Sequence, residues 1–231
     1  MNGDQQDGWP LTITRRMEDF PIANLSLRHW LEMGDEALRE MISLCRFPWD
    51  LLALNERIVG SLERDEISGD VHVSAVIEGR LKLGSGSRIL PGVFIEGNVV
   101  IGENCKIGPN CYIRGNTSIG NACHIGQAVE IKNCIILDQT NIGHLSYVGD
   151  SIIGENVNFG SATQVSNLRH DGATHHSMVR NELVDTGRRK LGVMVGDGVR
   201  TGIGTLIYPG RKIWPGMSTK PGCVVEKDLR P

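Results

Sequence analysis

The chain has 231 residues, room for one domain or two, with 24 Lys and Arg against 27 Asp and Glu, a net charge of −3 and a pI near 6.2. No basic run exceeds Arg188-Arg189-Lys190, which argues against nucleic acid or an anionic membrane as partner. No secretory leader and no apolar run of membrane-spanning length can be read, and cysteines without zinc-site spacing fit reduced thiols, so a cytoplasmic location is expected.

Residues 1–20 are polar and aperiodic, and the expectation is a mobile start. Residues 26–45 read as an amphipathic helix, with Leu27, Trp30, Leu31, Ala37, Leu38, Met41 and Leu44 near one face and Gly34 as a candidate break. Pro48 restarts the chain, and residues 49–55 read as a second short helix. Residues 1–65 are therefore expected to be a helical cap or linker lying over the first coil of the repeat region that begins near residue 66, or to serve as a dimer contact.

From Val71 an aliphatic ladder takes over. Val71, Ile77, Leu83, Ile89, Ile95, Ile101, Ile107, Ile113, Ile119, Ile125 and Ile131 recur every six residues. A helix would need spacing near 3.6 and a plain strand would need alternation, so neither accounts for a period of six. Short parallel strands wound into a solenoid do, with the ladder residues stacked inside and each coil covering its neighbour. The ladder slips by one residue to Ile136, Ile142 and Val148, and again to Ile153, Phe159 and Val165. It returns at Val195, Thr201, Ile207, Ile213, Thr219 and Val225. Three repeats per coil give between seven and eight coils. The expected fold is an all-β solenoid, a parallel β-helix of hexapeptide repeats over residues 66–231.

Glycine, at 29 residues, is well above the usual share of about 7%, as tight corners require. Cys105, Cys111, Cys123, Cys134 and Cys223 each stand two residues before a ladder position, where a small buried side chain is wanted. The ladder stops over 166–194. A long insert in a regular scaffold is expected to be functional, and this one is expected to reach toward a neighbouring subunit.

Arg114 and Lys132 each follow a ladder residue and are one coil apart, so they should stack about 4.8 Å apart on one corner. Two cations so placed repel unless an anion lies between them, and a phosphate fits. A solvated surface pair is the plainer alternative. His144 can accept a proton near neutral pH, although a lone histidine on a solenoid face is more often a simple surface residue, and Tyr147 and Asn158 add a hydroxyl and an amide close by. His170 and His175 lack a third histidine at a suitable place, so no metal is expected.

Hexapeptide ladders of this kind resemble the left-handed β-helix acyltransferases, which are trimers with sites between subunits. A narrower resemblance rests on Ala128–Lys132, Gly143–Asp150, Ile153–Gly160 and Asp185–Gly192. These runs are similar to the acetyltransferase half of bifunctional sugar-1-phosphate nucleotidylyltransferases, and Asp185–Lys190 is most similar to archaeal-type members. The resemblance implies acetyl-CoA as co-substrate, a homotrimer, and no metal in the transfer step. It implies that Arg114 and Lys132 hold a sugar phosphate, that His144 is the base and Asn167 orients it, and that Tyr147 and Asn158 contact the sugar. The backbone N–H of Ser161 would face the thioester oxygen.

Two departures accompany it. The Gly-Thr-Arg loop of the nucleotidylyltransferase half does not occur, so that activity is not expected of these residues. Relatives carry a lysine in the insert where this chain has Ala173-Thr174-His175-His176, with Arg169 or His175 as candidates to replace it. The expected function is acetyl-CoA-dependent N-acetylation of glucosamine-1-phosphate or galactosamine-1-phosphate. The same chemistry on a nucleotide-linked amino sugar, or a scaffold without turnover, remains open.

Overall fold

The computed structural model describes residues 5–231. From Glu66 onward the chain winds through strands of two or three residues that stack into three parallel sheets, here called faces I, II and III. Face I has eight strands, from Glu66–Ile67 to Lys212–Ile213, and face III has eight, from Val76–Glu78 to Val224–Val225. Face II has six, from Asp70–Val71 to Asn158–Phe159, continued by the bridges Asn158–Arg200 and Arg200–Ser218. The solenoid read from the ladder is therefore the fold.

The register bears out both slips. Ile119 pairs with Ile136 and Ile131 with Val148, then Ile136 with Ile153 and Ile142 with Phe159. Across the insert Ile153 pairs with Val195. Ladder residues point inward and are almost entirely buried, as at Ile95, Ile113 and Ile131, each 0% exposed. Each such side chain contributes roughly 1.5–3 kcal/mol, which is why the strands need no length of their own. The interior cysteines are free, and burial pushes the Cys111 thiol up to about 11 and Cys134 up to about 12, as expected of packing groups.

The N-terminal segment departs from expectation in three ways. First, residues 5–20 are packed, with Leu11 and Phe20 buried and Arg15 paired to Asp197 at 2.6 Å; residues 1–4 of the expected mobile start lie outside the described residues. Second, the single helix over 26–45 is two, α1 (Leu27–Met33) and α2 (Glu36–Leu44). Asp35 accepts from the Leu38 N–H at 2.8 Å and so starts a new helix just after Gly34. Third, α3 (Asp50–Gly60) and its neighbours lie along the outer side of face I rather than over the first coil.

Leu51, Leu52, Leu54 and Ile58 share a core with Ile135, Ile152 and Met194, outward-facing residues of that sheet. The Asn55 amide donates to Asn116 O at 2.7 Å, and the Asn98 amide donates to the last carbonyls of α3, Val59 and Gly60. Most of the insert folds back as well. Its hairpin, His176–Val179 with Glu182–Asp185, places Val179 in the same core.

Candidate functional site

Outward positions on face III form two columns. One runs Phe94, Tyr112, Glu130, Tyr147 and Gln164, and the other Glu96, Arg114, Lys132 and Gly149. Arg114 and Lys132 are register neighbours, as their spacing requires. Neither waits for an anion to offset the other. Arg114 makes a two-pronged contact with Glu130 Oε1, Nη2 at 2.6 Å and Nε at 2.9 Å, and Lys132 Nζ lies 3.1 Å from Asp150 Oδ2. The hydrogen bond to Glu130 raises the Arg114 pKa further.

Asp150 is the hub. It is 3% exposed and sits in the corner after Gly149, where the coil is one residue short and Asn133 and Asp150 take left-handed backbone, φ 51° and 49°. Its carboxylate accepts from Asn167 Nδ2 at 2.6 Å, Lys132 Nζ at 3.1 Å and Asn133 Nδ2 at 3.1 Å. Asn167 Nδ2 also donates to the Tyr147 hydroxyl at 3.0 Å. Burial, then the nearby Asp150 and Glu130, raise the Tyr147 pKa and keep the phenol protonated. Gly149 makes room for this contact, since a Cβ there would sit 2.5 Å from the Tyr147 hydroxyl and 2.6 Å from Asn167 Nδ2.

A second group stands at the corner between faces II and III. His144 is exposed, and its imidazole has no hydrogen-bond partner among the described residues. Its carbonyl accepts from Ser161 Oγ at 3.1 Å and from the Ala162 N–H at 2.7 Å. The Ser161 N–H donates to nothing among the described residues, and a Cβ on Gly143 would lie 2.9 Å from that nitrogen. Asn158 is on face II one coil along, in register with Asn141. His124 lies in the field of His144, and burial, then Lys106 and His144, lower its pKa.

Residues 95–220, more than half of the chain, match the family described as the GMPPB C-terminal domain. The chain belongs to that family. A bifunctional sugar-1-phosphate nucleotidylyltransferase/acetyltransferase of Sulfurisphaera tokodaii is 40% identical to this family member over 201 residues, 87% of this chain and 47% of its own. The bifunctional protein GlmU of Methanocaldococcus jannaschii is 37% identical over 182 residues, 79% of this chain and 44% of its own. The chain thus spans about half the length of these curated relatives, and the sequence resemblance to that group is borne out. Among solved structures, the UDP-N-acetylglucosamine O-acyltransferase of Moraxella catarrhalis is 14% identical, covering 65% of this chain and 66% of that one, with a TM-score of 0.27.

In this family member the residues singled out from sequence fall into two clusters. Lys132, Tyr147 and Asn167 converge on Asp150 with Arg114 beside them, whereas His144 and Ser161 stand at the other edge of face III, with Asn158 on the adjoining face II. No hydrogen bond joins Asn167 to His144 among the described residues; the Asn167 amide nitrogen donates instead to Tyr147 and Asp150. Glu130 and Asp150 were not anticipated: Glu130 is in register with Tyr112 and Asp150 follows Gly149, so each acid is one position off the column of the cation it pairs. Neither candidate for the missing insert lysine is free. Arg169 pairs with Asp171 at 2.5 Å, and His175 is buried with Nε2 3.2 Å from Asn167 O. No group of three or more His, Cys, Asp or Glu side chains able to hold a metal occurs among the described residues, and none of their helices is long and apolar enough to cross a membrane.

Proposed function

We propose that the chain is an acetyl-CoA-dependent N-acetyltransferase acting on an amino-sugar 1-phosphate, glucosamine-1-phosphate or galactosamine-1-phosphate. The observation that carries the reading is the Arg114, Lys132, Tyr147 and Asn167 cluster on the outer side of face III, where all four residues are partly exposed. A phosphate entering there displaces or shares the carboxylates already paired with the two cations, which favours a dianion over a neutral sugar.

In this reading the sugar amine attacks the thioester carbonyl, and His144 takes the proton as the C–N bond forms. The Ser161 N–H meets the oxyanion, and coenzyme A leaves as the tetrahedral intermediate collapses. The imidazole is suited to this by being exposed and, among the described residues, without a competing partner. His144 and the anion cluster lie at opposite edges of face III, and a homotrimer with face III toward a neighbour would bring one chain's histidine to the other's cluster.

Release of free thiol from acetyl-CoA, measured with glucosamine-1-phosphate, galactosamine-1-phosphate and a nucleotide-linked amino sugar in turn, tests the reading. Turnover is expected with a hexosamine phosphate. Turnover with the nucleotide-linked sugar alone would move the substrate, and none with any would leave a scaffold.

A further inference from the structure

The basic end of the insert is tied down along its backbone, although Lys190 itself is exposed. Leu168 and Lys190 form an antiparallel bridge, and the buried Leu191 donates its N–H to Asn167 O at 2.9 Å, so the backbone on both sides of Lys190 is tied to the Asn167 strand. A brace holds it from the other side. Arg188 Nη2 donates to Glu56 Oε1 of α3 at 2.6 Å, and the same oxygen accepts from Asn133 Nδ2 at 2.8 Å.

The placement brings the Lys190 ammonium into the field of Lys132, and also of Asp150 and Arg114. Both ammoniums are donors only, so they share no acceptor of their own. Arg114 is offset by Glu130 and Lys132 by Asp150, but Lys190 has no ion pair among the described residues. Three cations face two carboxylates, and the charge left over sits on Lys190. Repulsion from Lys132 lowers the Lys190 pKa, and the opposing pull of Asp150 does not offset it.

We infer that Lys190 is a specificity-determining residue, the cation whose uncompensated charge turns a neutralised pair of salt bridges into a site for a phosphate monoester. It supplies the grip that neither Arg169 nor His175 is free to give. The inference rests on the proposed acceptor class, and its test is separable from that proposal.

Glucose 1-phosphate carries the phosphate but lacks the reacting amine, so its binding reports the anion site without turnover. Its affinity is to be measured by calorimetry at low salt for the wild type, Lys190→Met and Lys190→Arg, with glucose as the uncharged control. Lys190→Met should bind glucose 1-phosphate at least about tenfold more weakly, the scale of one charge-assisted hydrogen bond. Lys190→Arg should recover most of the loss, and acetyl-CoA affinity and melting temperature should not move. Equal affinity in wild type and Lys190→Met, or no binding by the wild type, would overturn the inference. A wild type that binds through Lys190 yet releases no thiol leaves it standing and removes the transferase reading. Thiol release by Lys190→Met with unchanged KM for glucosamine-1-phosphate removes the inference alone.

Discussion

Faces I and III are built on the same inward ladder and differ only in what they turn outward. On face I the outward residues Ile135, Ile152 and Met194 are apolar and at most 1% exposed, because α3 and the segment before it lie over them. On face III the outward residues Tyr112, Arg114, Glu130, Lys132 and Tyr147 are polar and partly exposed. The inward pattern therefore sets the coil, and the outward pattern assigns each face its work: one face anchors the rest of the polypeptide, the other presents polar groups. A sheet apolar on both sides is a sheet covered on both sides.

The largest effect should come from charging the covered face. Ile152→Asp places a carboxylate under α3 without a partner and should cost more than about 4 kcal/mol, whereas Leu206→Asp, at a 45% exposed outward position on face III, should stay within about 1 kcal/mol. Denaturant unfolding of the two variants checks this. An equal loss would mean that a second subunit covers face III as fully as α3 covers face I.

A smaller stability change with a large functional one is expected at Gly149. The Cβ of Gly149→Ala overlaps the Tyr147 hydroxyl and Asn167 Nδ2, which should cost about 1–3 kcal/mol and lower kcat/KM by roughly 100-fold. Thiol-release kinetics beside a melting curve separate the two, and unchanged kinetics would detach the Tyr147–Asn167 contact from the site.

The gentlest effect concerns the end of face I. Lys212 is buried in the outward column, its Nζ donating to Met178 O at 2.8 Å, and burial pushes its pKa down to about 8. The unfolded chain holds that proton up to about pH 10.4. Between about pH 8 and 10.4 the unfolded state thus binds more protons, so stability should rise with pH there, by at most about 1.4 kcal/mol per unit. Lys212→Met should remove this slope in denaturation series at several pH values. A slope that persists would assign it to another group.

Much of this division was legible beforehand. A period of six is imposed by stacking, so the ladder and both slips could be read residue by residue. The position of the N-terminal segment could not be read from its own sequence, although the runs Val99-Val100-Ile101, Ile135-Ile136 and Ile152-Ile153, apolar inside and out, marked the sheet awaiting a cover. Arg114 and Lys132 could be placed because they ride on the ladder. Asp150 could not, since its role depends on a shortened corner in left-handed backbone, and Lys190 could not, since an irregular insert brings it back to Asn167.

The central claim is that the open face carries an acetyl transfer in which His144 is the base, and His144→Ala tests it most directly. With saturating acetyl-CoA and glucosamine-1-phosphate, kcat should fall about 10²–10⁴-fold while melting temperature and substrate affinity stay at wild-type values, because Ile142 and Val148 carry the packing on either side and the imidazole is exposed. A near-normal kcat in a folded variant, or a collapse of stability, would contradict it.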